Sequence, residues 1–177
     1  MCPNVNSYPP VYLQSGDPEG ENVVSLQAPG TLGLRFTKDV SGAVKGYQLV
    51  KTDSSMSVNP YSGAVAWWSD QAAYLVTTSP TTLGRGRVAG VFRNAITPGR
   101  YGCIQWKGIC TNVKLVDAPT ASPSIAGLFV TPSATAGKAD VLAAGSAATY
   151  PPLGRTAGTL NLSDNTCSVD LDVPETF

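Results

Sequence analysis

The sequence of 177 residues contains no histidine. Histidine is the side chain that proteins use most often as a general base, as a metal ligand and as the partner that activates a serine or cysteine nucleophile. Neither the G-x-S-x-G nor the S-x-x-K pattern of serine enzymes is present. These absences predict a protein that is not an enzyme.

Charged residues are also scarce. Asp, Glu, Lys and Arg together make up 14% of the chain, whereas roughly 25% is usual in soluble domains. Hydrophobic residues make up 42%, which predicts a folded chain. A surface with few charges repels its neighbours weakly, so this composition suits a protein that packs against other proteins.

The few charges are unevenly distributed along the chain. Residues 1–30 carry three acidic residues and no basic one, residues 161–177 carry four acidic residues and no basic one, and residues 31–160 carry all 12 basic residues. Acidic ends on a basic centre would steer neighbouring copies together, and the alternative is that they form solvated faces. The formal net charge of zero argues against a nucleic-acid-binding domain.

Long apolar runs are missing as well. No segment approaches the roughly 20 apolar residues that span a bilayer, and the N-terminus lacks the basic start and apolar run of a secretory signal. We therefore expect synthesis in a reducing cytoplasm. The four cysteines form no C-x-x-C pair, so no metal or other cofactor is predicted, and Cys103 and Cys110 are expected to be buried free thiols.

The abundance of 18 glycines and 14 prolines favours short strands joined by many turns. No segment repeats with the period of a helix. We predict an all-β fold with about ten strands in one domain over residues 30–177, built as an antiparallel β-sandwich, a jelly roll or a small barrel. Residues 1–29, with five prolines, are predicted to form an extended arm, and the alternative is a disordered terminus.

Three strand assignments are specific enough to check. Residues 87–115 are predicted to hold three adjacent antiparallel strands, with 101–106 and 109–115 joined by a hairpin turn at Lys107 and Gly108. Residues 146–157 are expected to be loop. Residues 167–173 alternate apolar and polar, which predicts a strand with one buried and one wet face.

Several residues are candidates for contact with a partner. Trp67 and Trp68 are adjacent, so on a strand they would point to opposite faces, one into the core and one outward. The alternative is that a second sheet or the arm covers the outer one. The remaining candidates are the apolar arm residues and the basic turn before residue 88, namely Tyr8, Val11, Tyr12, Arg85 and Arg87.

A site for calcium or a pair of catalytic carboxylates was considered at Asp164, Asp170 and Asp172. Their spacing matches no established calcium loop, and acidic residues on the wet face of a strand need no special role. No metal site is predicted there.

The stretch from about residue 83 to residue 173 resembles the tailed-phage head decoration proteins, also called capsid cement proteins. In that family a strand is followed by a Pro-Gly turn, a hairpin and a β-turn pattern near the C-terminus. The segments that carry the resemblance are, in chain order, Val88-Ala89-Gly90-Val91, Thr97-Pro98-Gly99-Arg100-Tyr101, Ile104-Gln105, Gly108, Leu128-Phe129-Val130-Thr131-Pro132-Ser133, Gly137-Lys138-Ala139-Asp140 and Leu153-Gly154.

The resemblance implies a structural virion protein that binds the outer surface of an expanded bacteriophage capsid as a dimer or trimer. Such a protein bridges neighbouring subunits of the major capsid protein, and the family supplies no catalytic residue. The expected location is the capsid surface, after synthesis in the host cytoplasm. The alternative is a receptor- or glycan-binding module of a tail fibre or spike, in which exposed aromatic side chains stack on sugars.

Overall fold

The structure, a computed structural model, describes residues 32–40, 42–80, 87–161 and 163–174. The predicted arm at 1–29 lies outside the described residues, as do Tyr8, Val11, Tyr12 and Arg85. Within the described residues the regular secondary structure is entirely β and comprises ten strands. The expectation of an all-β fold is therefore confirmed.

The strands are short and separated by turns, as the glycine and proline content predicts. Their bounds are β1 Arg35–Val40, β2 Ala43–Thr52, β3 Val65–Asp70, β4 Leu75–Thr77, β5 Val88–Phe92, β6 Tyr101–Lys114, β7 Phe129–Pro132, β8 Ala139–Val141, β9 Gly154–Asn161 and β10 Thr166–Asp172.

The ten strands form one mixed sheet in the order β1-β2-β4-β3-β5-β6-β10-β9-β7-β8. The prediction of a purely antiparallel sheet is wrong at one place, because β2 and β4 pair in parallel through Lys51–Leu75 and Thr52–Val76. β3 and β4 run antiparallel to each other. Of these two strands it is β4 that lies beside β2, and β4 runs in the same direction as β2.

Five of the strands close into a ring. Besides its neighbours in the sheet order, β2 also pairs with β6, so β2, β4, β3, β5 and β6 follow one another in a closed circuit. One buried cluster contains a side chain from each of these strands: Val50, Val76, Ala66, Phe92 and Ile104. This cluster fills the inside of the ring.

A second layer of strands, formed by residues 107–114 of β6 together with β10, β9, β7 and β8, covers one side of the ring. The larger buried cluster combines Val65 and Val91, which alternate with the ring-filling residues on β3 and β5, with Val113 of β6, Val130 of β7 and Val169 of β10. The two faces of β3 and β5 are thus both buried, one inside the ring and one against the second layer.

Strand β6 belongs to both layers because it bends in its middle. Residues 101–107 of β6 pair with β2, whereas residues 107–114 pair with β10. At the bend, the side-chain Nε2 of the fully buried Gln105 donates to the backbone carbonyls of Lys107 (3.1 Å), Gly108 (3.0 Å) and Ile109 (3.2 Å). The predicted hairpin turn at Lys107 and Gly108 is therefore wrong, because an amide side chain satisfies the carbonyls of the bend and no second strand folds back on the first.

The prediction of a loop over residues 146–157 is also wrong at its end, because β9 begins at Gly154. Strand β9 lies between β10 and β7 and pairs with both. It forms because its backbone hydrogen-bonds to the strands on both sides. Its sequence lacks the alternation of apolar and polar residues by which a strand can be predicted. A Cβ atom on Gly154 would overlap the carbonyl oxygen of Asp170, so the close pairing of β9 and β10 requires glycine there.

Gly63 connects the C-terminal half of β6 to the ring through two backbone hydrogen bonds. Its amide donates to the carbonyl of Phe92 (2.8 Å), and its carbonyl accepts from the amide of Lys114 (2.9 Å). Its φ of +85° is in the left-handed region, and a Cβ atom there would overlap the carbonyl oxygen of Asn112. Gly145 has nearly the same φ of +82° but open space around it.

Substitution of these two glycines tests how closely Gly63 packs against the backbone of β6. Gly145→Ala should cost about 1 kcal/mol of unfolding free energy, the penalty of a left-handed alanine. Gly63→Ala should cost at least about 2 kcal/mol more, because it also pushes the β6 backbone away from the ring. Urea denaturation measures both losses. Equal losses would show that the junction is not as tight as described.

Candidate interaction surface

The two adjacent tryptophans lie on opposite faces of β3, as predicted, but both pack against buried clusters, so neither points simply outward. Trp67 is only 2% exposed and packs in the larger buried cluster, where its ring meets Tyr150 edge to face at 5.0 Å. Trp68 is half-buried and packs against the cluster inside the ring. The second layer therefore covers Trp67 within the same chain, and Trp68 is the tryptophan of the pair that keeps exposed surface.

Tyr74 lies next to Trp68 and extends its exposed surface. The two rings are 6.4 Å apart in an edge-to-face arrangement, and Tyr74 is 36% exposed. The turn before it is held by Asp70, whose Oδ1 accepts from the amides of Ala72 (3.0 Å) and Ala73 (3.2 Å). Sequence reasoning did not single out Tyr74, because no motif marks a tyrosine that is brought beside a tryptophan by a turn.

Arg87 is the predicted contact residue that the structure places beside Trp68. Its carbonyl accepts from the amide of Trp68 (3.0 Å). Its exposed guanidinium donates from Nη1 to Oε1 of Gln71 (2.9 Å). Trp68, Gln71, Tyr74 and Arg87 thus form one continuous patch, which we call the Trp68 surface.

Two of the described residues that lie near the ends of the described ranges, Gly33 and Arg87, are found at this surface. Gly33, close to where the described chain begins, lies so near to the ring of Tyr74 that a Cβ atom would overlap it. Arg87 directly follows residues 81–86, which lie outside the described residues. Gly33 and Arg87, two described residues at the edges of the described ranges, therefore both lie at the Trp68 surface.

The other basic residues of the segment 85–116 do not extend this patch. Arg93 is buried, and its Nη1 donates to Sγ of Cys110 (2.9 Å) and to Oδ1 of Asn112 (2.8 Å). Lys114 donates from Nζ to the carbonyl of Asp164 (2.9 Å). The densest run of basic residues in the sequence is therefore divided between the interior and separate parts of the surface.

The described cysteines are poorly suited to act as nucleophiles. Cys103, Cys110 and Cys167 are all buried and free, which confirms the expectation for Cys103 and Cys110. Burial raises the pKa of Cys103 and of Cys167 to about 12 each. Burial also raises the pKa of Cys110, although the neighbouring Arg93 opposes this shift. Thiols in this state are protonated at neutral pH and react slowly.

The raised thiol pKa values predict a loss of stability at alkaline pH. The unfolded thiols ionise near pH 9.0, whereas folded Cys103 and Cys167 resist ionisation up to about 12. The unfolded state is therefore favoured progressively as the pH rises from about 9 towards 12, and the effect is absent below that range. Urea denaturation across this range should show a smaller pH-dependent loss in a Cys103→Ala, Cys167→Ala variant, which keeps every tyrosine and lysine of the native chain. Identical pH dependence of the two proteins would contradict the burial of these thiols.

Neither a metal site nor a membrane-spanning helix occurs in the part of the chain that the structure describes. No group of three or more cysteine and carboxylate side chains is arranged there to hold an ion. Among the same residues there is no helix of the length and apolar character that crosses a bilayer. Comparison of the chain with protein-family models, with curated proteins and with solved structures found no match.

Proposed function

We propose that this chain is a structural virion protein that binds the outer surface of a tailed-phage capsid. It stabilises the shell by bridging neighbouring subunits of the major capsid protein. The observation that carries this proposal is the Trp68 surface, where a half-buried tryptophan, an exposed tyrosine and an exposed arginine lie beside Gly33, close to the point at which the N-terminal segment joins the described chain.

The composition of the Trp68 surface suits a protein partner. Tryptophan, tyrosine and arginine are the residues most enriched among those that dominate the energy of protein interfaces. The Trp68 surface contains one of each, and the arginine is held in place by its bond to Gln71. The low charge of the whole chain lowers the cost of burying further surface around this centre.

The N-terminal segment supplies the reach that bridging requires. Residues 1–29, if extended, span at most about 100 Å, which is enough to leave one capsid subunit and contact the next. Tyr8, Val11 and Tyr12 are the apolar positions that would anchor it. Anchoring at two points, the arm and the Trp68 surface, makes separation of the two subunits require the loss of both contacts.

The proposed function also includes an architecture, a location and an oligomeric state. We propose that the five-stranded ring is a small barrel, that the second layer packs on it as in a sandwich, and that together they form the rigid body to which the arm is tethered. The protein is made in the host cytoplasm, functions on the capsid surface of the virion and associates as a homo-oligomer. No catalysis, cofactor or nucleic acid takes part.

Deletion of the arm and substitution at the Trp68 surface test the proposal. Removal of residues 1–25 should abolish co-sedimentation with capsids that lack this protein, while the thermal unfolding of the β domain is unchanged. Arg87→Ala should weaken binding by about 10-fold, the usual effect of losing one arginine at the centre of an interface. Lys107→Ala removes an exposed basic residue that is opposite Gly46, at the other end of β2 from Lys51 and Thr52, and this control should bind normally. Undiminished binding of both the deletion and Arg87→Ala would contradict the proposal.

The second candidate, a receptor- or glycan-binding module of a tail fibre or spike, is favoured by the exposed ring of Tyr74 beside Trp68, because such a pair can stack on a sugar. The two functions give different results with one variant. If the chain binds glycans on an array and Tyr74→Ala removes that binding while capsids are not bound, the glycan-binding function replaces the capsid one.

A further inference from the structure

The outer face of the second layer carries an exposed row of four side chains that runs straight across four strands. In the register of the sheet, Phe129 of β7 is opposite Arg155 of β9, Arg155 is opposite Asp170 of β10, and Asp170 is opposite Ile109 of β6. The strands are about 4.8 Å apart, so the row is about 14 Å long.

All four side chains point away from the core. Phe129 is 44% exposed and Ile109 is 43% exposed, and Arg155 and Asp170 are exposed as well. Their strand neighbours Val130, Cys110 and Val169 are fully buried in the larger cluster. Phe129 and Ile109 are two of the large apolar side chains that the described residues expose, and both lie in this one row with a cation and an anion between them.

The row is ordered in part before any partner binds. The guanidinium of Arg155 lies over the ring of Phe129 at 4.0 Å, and its Nη1 donates to the carbonyl of Gly127 (2.8 Å). The side chain of Arg155 is thereby drawn towards β7 and away from Asp170. Among the described residues, no hydrogen bond or ion pair occupies the carboxylate of Asp170, which is left open to a cation from outside the chain.

The order of the row is self-complementary. Two copies packed face to face are related by a two-fold axis that lies between them. If the axis runs parallel to the strands between β9 and β10, it reverses the order of the row, so that Arg155 of each copy meets Asp170 of the other and Phe129 meets Ile109. An axis along the row would place Arg155 on Arg155, which like-charge repulsion disfavours.

We propose that the exposed face of β6, β10, β9 and β7 is a dimer interface for a second copy of this chain, with Arg155 paired to Asp170 and Phe129 packed on Ile109 across a two-fold axis parallel to the strands. The inference rests on these four strands and is independent of capsid binding. The face is small by the standard of stable dimers, which bury about 800 Å² on each partner, so a dissociation constant of about 1–100 µM is expected.

Charge reversal tests the interface. Sedimentation velocity of the full chain, at concentrations up to about ten times the expected dissociation constant, should show a dimer of the 18.3 kDa chain. Arg155→Asp and Asp170→Arg, each alone, place like charges opposite each other in both symmetric contacts and should weaken dimerisation by at least about 100-fold. Arg100→Asp makes the same charge change on another surface and should leave the dimer intact.

Mixing the two single variants separates a lost contact from a lost fold. In a mixed dimer, Asp at position 155 of one copy meets Arg at position 170 of the other, and the second contact keeps its native Asp170 and Arg155. The mixture should therefore recover dimerisation to within about 10-fold of the native protein. A native chain that is monomeric at every concentration would overturn the proposal, as would single variants that dimerise normally or a mixture of folded variants that stays monomeric.

Discussion

The bend in β6 allows one strand to pair with β2 in the ring and with β10 in the second layer, and it thereby joins the two parts of the fold. Three successive carbonyls, of Lys107, Gly108 and Ile109, point at one side-chain nitrogen of Gln105. Gln105 itself is fully buried, so its amide nitrogen would cost about 1–3 kcal/mol if these carbonyls did not accept from it. Because the two N–H groups of one buried amide are shared among these three carbonyls, the bend is held from inside the fold and a single strand passes from the ring into the second layer without an intervening loop.

The bend also decides where the exposed surfaces lie. The first half of β6 closes the ring, whose strands β3, β4 and β5 present or adjoin the Trp68 surface. The second half places Ile109 on the outer face of the other layer, in register with Asp170, Arg155 and Phe129. The two proposed contacts therefore use different strands, so a copy that is bound through the Trp68 surface still has its dimer face free.

The sequence predicted the features that depend on local pattern. Glycine and proline content indicated short strands, the alternation over 167–173 marked β10, and the adjacency of Trp67 and Trp68 placed them on opposite faces. Features that depend on distant partners were not predictable in this way. Gln105 looks like any polar strand residue until the carbonyls that it binds are in place, and β9 forms because β7 and β10 lie on either side of it. The row of Phe129, Arg155, Asp170 and Ile109 exists only through the register of four strands that are far apart in sequence.

The most direct test of the proposed function follows the native chain in a lysate of its source. The lysate is separated on a density gradient, and the chain is quantified in each fraction by mass spectrometry. We expect the chain to sediment with DNA-filled particles in many copies per particle and to be released as an intact folded protein when the particles are dissociated. A chain that stays at the top of the gradient, apart from the particles, would contradict the capsid-binding function.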